Sequence, residues 1–162
     1  MTPNLEIICH KGLPGLSRIE YVYRADVDPD SLLGLIGPGY NRPYDVVLLE
    51  GQWQNLPCFR PPRWREAHKP TDQGGIFEQK LTASIRQLTP AVSGVLDEMT
   101  RNPLLLRITD RTGQRWICGN LQEKFDLTYT RSAGGGGEFA GYDLTLEGLM
   151  TSSTTGWNPL LS

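Results

Sequence analysis

From Phe77 to Arg86, apolar Phe77, Leu81, Ala83 and Ile85 share one parity, and Glu78, Lys80, Thr82, Ser84 and Arg86 share the other. That alternation predicts a strand with one buried face. The period then changes to helical, with Val92, Val95, Leu96 and Met99 in step behind Thr89-Pro90. Thr89 suits an N-cap, Pro90 the first helical position, and Arg101 the negative end, while Asn102-Pro103 stops the helix. One amphipathic helix over about residues 90–101 follows. Leu104–Thr109 and Gln114–Cys118 read as a hairpin around the turn Asp110-Arg111-Thr112-Gly113. Phe125, Leu127 and Tyr129 alternate with polar residues, as do Tyr142, Leu144 and Leu146, with Gly134–Gly137 as the tip between two strands.

The first half is less regular. Leu5–Cys9, Ile19–Tyr23 and Val46–Glu50 read as strands, the first two separated by Gly12-Leu13-Pro14-Gly15. Residues 51–75 show little periodicity but carry Trp53, Phe59, Trp64 and several prolines, which reads as a long arm loop. Residues 151–162 read as a flexible Ser/Thr-rich tail. Strands in runs with a single helix predict a mainly β chain: an antiparallel β-sandwich or barrel with one flanking α-helix.

Composition narrows the classes without naming one. The 162 residues suit a single domain, and 38% hydrophobic content argues against wholesale disorder. Sixteen basic against 18 acidic residues give a formal charge of −2, so no net field draws in polyphosphate. No apolar run is long enough to span a bilayer, so no membrane partner is expected, and the first residues lack a signal-peptide pattern. Three widely spaced cysteines do not form a disulfide framework; Cys9 and Cys118 read as small apolar strand residues.

No catalytic set is recognisable. The chain lacks a nucleophile elbow, a phosphate loop and a zinc-protease motif, so neither an enzyme nor a cofactor is expected. His10 and His68 with the cysteines lack the paired spacing of a metal site. Asp97-Glu98 reads as a solvated helix face. The most distinctive cluster is Phe59-Arg60-Pro61-Pro62-Arg63-Trp64-Arg65. It suits an intersubunit contact first, packing on its own domain second, and single-stranded nucleic acid third.

The order of elements from Phe77 to Gly148, with Gly12–Tyr21 before it, resembles bacteriophage tail-tube and related tail structural proteins. The matching elements are the strand Phe77–Arg86, the helix Pro90–Thr100 and the hairpin around Asp110–Gly113. Trp116–Gly119 and the strand Gly141–Gly148 complete them. The resemblance implies one self-assembling domain over residues 1–162, forming hexameric rings that stack into a tube. It implies a virion component made in the bacterial host cytoplasm. Its partners would be further copies, other tail proteins, and DNA passing through without specific binding. A terminator, baseplate or adaptor ring is the variant reading. The loop reaching a neighbour would be residues 51–75, with Trp53, Phe59, Arg60, Arg63 and Trp64 as contact residues.

Overall fold

In the computed structural model, the described residues are 15–28, 48–58, 61–72, 74–86, 88–111, 113, 115–119, 125–133, 140–150 and 155–157. They form nine strands and one α-helix: β1 (Leu16–Tyr23), β2 (Gln54–Asn55), β3 (Arg63–Thr71), β4 (Gly74–Ile85), α1 (Pro90–Arg101), β5 (Leu104–Asp110), β6 (Arg115–Cys118), β7 (Asp126–Ser132), β8 (Gly141–Met150) and β9 (Thr155–Trp157). A 3-10 turn, Arg24–Asp26, follows β1. Two sheets result, a five-stranded one in the order β2-β1-β5-β6-β9 and a four-stranded one in the order β3-β4-β8-β7. Every neighbouring pair is antiparallel. The architecture is a β-sandwich with one flanking helix.

Alternation along the strands explains why the sheets stack. Ile19, Tyr21, Leu104, Leu106, Ile108 and Cys118 of the five-stranded sheet share one core with Leu81, Ala83, Ile85, Leu127, Tyr142, Leu144 and Leu146 of the four-stranded sheet. Both sets sit at alternate positions, so each strand contributes one apolar face. β1 opens with a bulge between Leu16 and Arg18, where the Ser17 hydroxyl lies within reach of the Thr109 and Asp110 carbonyls. The bulge leaves the apolar parity of the rest of β1 aligned with β5.

The helix ends as its sequence dictates. Thr89 Oγ1 accepts from the Val92 amide at 3.4 Å, Pro90 opens the first turn, and Asn102 Nδ2 donates to the Glu98 carbonyl at 3.0 Å. Leu96 and Met99 face the core. Asp97 and Glu98 are exposed, as expected for adjacent helical positions, yet each holds a different sheet. The Tyr129 hydroxyl of β7 donates to Asp97 Oδ1 at 3.3 Å, and Tyr23 of β1 shares a hydrogen bond with Glu98.

The outer face of the five-stranded sheet is also covered. Val22, Val27, Leu105 and Ile117 form a second small cluster, with Leu48 and Trp53 packed on it. Beside it, Glu20 and Arg107 are cross-strand partners, and Arg107 Nε donates to Glu20 Oε2 at 2.5 Å. Their side chains are only 5% and 11% exposed, and Arg18 adds a second contact to Glu20 at 3.0 Å. The Trp53 ring lies 4.5 Å from the Arg107 guanidinium, shielding it with a cation–π contact.

Two expectations are corrected. Residues 51–75 are not a continuous arm loop: Gln54–Asn55 pairs with β1, and Arg63–Thr71 is a nine-residue strand paired along its length with β4. Nor are residues 151–162 simply a flexible tail, because Thr155–Trp157 adds to the edge of β6. In both places a partner strand satisfies the backbone where the side-chain pattern is too polar to announce a strand. The expected strand at Leu5–Cys9 and the tip at Gly134–Gly137 lie outside the described residues. Of Val46–Glu50, Leu48 forms an isolated antiparallel bridge with Val27.

Two predictions follow from these contacts. Glu20→Ala strands a buried guanidinium and should destabilise the fold by about 3–5 kcal/mol in urea unfolding. Replacing Glu20 and Arg107 together by leucine should restore most of that loss. Burial and the neighbouring Glu98 carboxylate push the Tyr23 phenol up from 10.0 to about 12. A raised native-state value means stability is intact below pH 10 and declines as pH rises toward 12. Tyr23→Phe should flatten that alkaline decline in thermal melts collected across this window.

Candidate functional site

Among the described residues, the outward face of the four-stranded sheet is uncovered. Its side chains come from the parity opposite the core: Arg63, Arg65 and Lys69 on β3, Glu78 and Lys80 on β4, Asp143 and Glu147 on β8, and Asp126 on β7. All of these are exposed. Cross-strand ion pairs organise the face, with Lys69–Glu78 at 2.5 Å and Lys80–Glu147 at 2.7 Å. The Lys69 ammonium beside Glu78 holds that carboxyl below its ordinary value. Ser84 donates to Asp143 Oδ1 at 2.7 Å across the β4–β8 pair. A groove of about 700 Å3 crosses this face beneath Pro61 and Pro62, reaching Arg63, Thr82, Ser84, Asp143 and Thr145.

Both edges of the same sheet are open among the described residues. β3 offers nine residues at one edge and β7 seven at the other. Unpaired strand edges are ready templates for another strand unless charge, proline or bulges guard them. The guards on β3 are Arg63, Arg65, Lys69 and Pro70. Inside the β3–β4 hairpin the facing residues are partly polar. Gln79 is buried and donates from Nε2 to Glu66 Oε2 at 2.7 Å, while the His68 ring stands 5.0 Å from Phe77. A Cβ at Gly75 would come within 2.1 Å of His68 Nε2, so glycine there lets the imidazole lie flat on the hairpin.

Of the five contact residues expected from sequence, the three described ones, Trp53, Arg63 and Trp64, face different surroundings. Trp53 is spent on Arg107 at the outer face of the five-stranded sheet. Trp64 turns toward the core, half-buried, with its ring 6.2 Å from Phe125. Of the cluster, Arg63 stands exposed on the charged face beside Arg65, and Phe59 and Arg60 lie outside the described residues. Trp64 in the interior also removes the aromatic platform that a single-stranded nucleic acid would stack on. Of two further cations on this face, Lys80 was legible on the polar parity of β4, and Lys69 only once β3 is set in register with β4. Among the described residues, no three His, Cys, Asp or Glu side chains converge on a metal-sized site.

A second concavity, about 270 Å3, lies between α1 and Leu56-Pro57. Its walls include Tyr21, Ile85, Val92, Val95, Leu96 and Met99, an apolar lining with few polar groups to orient a ligand. Comparison with protein-family models, with curated proteins and with solved structures returns no match for this chain.

The interior place of Trp64 is directly testable. Trp64→Ala should lower unfolding free energy by about 2–4 kcal/mol in chemical denaturation of the isolated chain. A side chain reserved for a neighbouring subunit would leave that quantity unchanged.

Proposed function

We propose that this chain is a structural protein that assembles with itself into rings and stacks of rings. These are of the kind that build the tail tube of a bacteriophage or tail-like particle, a conduit for DNA. One observation carries the reading. Among the described residues both edges of the four-stranded sheet are open, and its even count of antiparallel strands makes β3 and β7 run in opposite directions. Copies related by rotation about an axis along the strands keep their strand directions. β7 of one copy then meets β3 of the next antiparallel, and the sheet continues without a break. Where the rotation closes, no edge is left over.

In this arrangement the five-stranded sheet, covered on both faces, forms the outer wall, and the charged face of the four-stranded sheet lines the lumen. The lining carries Arg63, Arg65, Lys69 and Lys80 against Glu78, Asp126, Asp143 and Glu147. Balanced charge lets a polyanion pass without holding it, since retention grows with the number of phosphates neutralised. Six copies per ring is the number that the resemblance to tail-tube proteins implies. A terminator, baseplate or adaptor ring would use the same lateral junction without extended stacking.

Negative-stain electron microscopy and sedimentation velocity over a concentration series test this. Rings or stacked tubes are the expected result, and single rings would favour a terminal component. A chain that stays monomeric throughout the series overturns the reading.

A further inference from the structure

Ring closure as proposed uses the two edges of the four-stranded sheet and leaves its two ends. Among the described residues four large apolar side chains are exposed, and three of them, Leu88, Val95 and Leu149, stand at those ends. At one end Ile85 of β4 and Tyr142 of β8 face each other, with a concavity on each side of α1. Ile85 lines the apolar groove of about 270 Å3, together with Val95, which is 43% exposed. Tyr142 lines a cleft of about 450 Å3, together with Leu88, which is 41% exposed. At the other end Leu149 of β8 lies opposite Glu78, about 24 Å along the strand from Tyr142. It is 64% exposed. We infer that the groove beside α1 receives the Leu149 end of a copy in the adjoining ring, so that rings stack head to tail. The inference rests on the self-assembly reading and names its axial contact.

Charge selects the groove over the cleft. Asp97 and Arg131 wall the cleft, whereas no charged side chain lines the groove. An ionic group pressed into the groove would lose water without gaining a partner. The Leu149 end meets that condition. Its cross-strand row runs Ala67, Glu78, Leu149, and the one charge in it is paired with Lys69. Ile76, on the same face, is half-buried and uncharged. An end without net charge therefore meets a groove without charge. Such a contact joins unlike patches, so it does not close on itself: repeated along the axis, it gives a stack of open length. Every ring then has one groove face and one leucine face.

Two faces allow a complementation test. Val95→Glu and Leu149→Glu each change an exposed position, so each variant should melt within about 2 °C of wild type. Rings should still form, because neither residue belongs to β3 or β7. Stacking should fail: each variant should raise the concentration for half-stacking in sedimentation velocity by at least about tenfold. An equal mixture of the two kinds of ring should restore the contact once. The leucine face of a Val95→Glu ring meets the intact groove of a Leu149→Glu ring, and growth then stops. Paired rings, and nothing longer, are the expected result in negative stain. Leu149→Glu, the more exposed change, decides alone should Val95→Glu lower the melting temperature.

Either variant stacking like the wild type, or a mixture without paired rings, overturns this contact. Wild-type rings that never stack also overturn it, while leaving the lateral junction in place. A wild-type chain that stays monomeric removes both.

Discussion

β5 is buried on both faces, and this constraint decides which surface of the molecule remains open. Leu104, Leu106 and Ile108 point into the sandwich, and Leu105 points away from it, yet none exceeds 2% exposure. The five-stranded sheet must therefore be covered twice, once by the opposing sheet and once by Val27, Leu48 and Trp53. Among the described residues, the four-stranded sheet is covered once. Its outward face carries ionic side chains because it has no apolar load to bury, and its two edges end in solvent among the described residues. Among the described residues, the contrast between a sheet covered on both faces and one covered on a single face follows from where the leucines of β5 fall.

The sealed side includes an expensive element, a carboxylate and a guanidinium largely withdrawn from water. A buried ion pair contributes little net stability against an apolar replacement, because desolvation offsets much of the attraction. Its geometry constrains pairing instead. Glu20 and Arg107 stand opposite each other, so a one-residue slip between β1 and β5 would move Glu20 into the apolar core. Trp53 closes over the guanidinium, coupling the covering segment to that register. The helix performs a similar coupling from the flank: Asp97 reaches β7 and Glu98 reaches β1, so adjacent carboxylates tie it to both layers.

How much of this was legible depended on whether a segment's partner lay in its own side-chain pattern. α1, β4, β5, β7 and β8 were readable because burial on a regular period leaves a regular apolar signature. β3 was not, because its inward positions are Trp64, Glu66 and His68, and the last two meet other polar or ring groups in the hairpin. Three-residue β9 was invisible for another reason: its strand conformation exists through pairing with β6. Trp53 and Trp64 stood out in the sequence as contact residues for a neighbouring copy, whereas within the chain they meet Arg107 and Phe125, which lie far along the sequence. The cross-strand alignment of charges on the outward face was the least legible feature. Arg65, Lys80, Glu147 and Asp126 are unremarkable in four separate strands and become a pattern only when register aligns them.

That dependence on register bears on how an open edge can be both safe and useful. Backbone hydrogen bonds at a strand edge carry almost no information, since any extended chain can satisfy them. An edge made for assembly therefore invites aggregation unless its side chains discriminate. Arg63, Arg65 and Lys69, with Pro70, oppose pairing between two β3 edges, which protects the separate chain. Lys80 and Glu147, in the middle of the sheet, pair with each other and leave that discrimination to the edge strands.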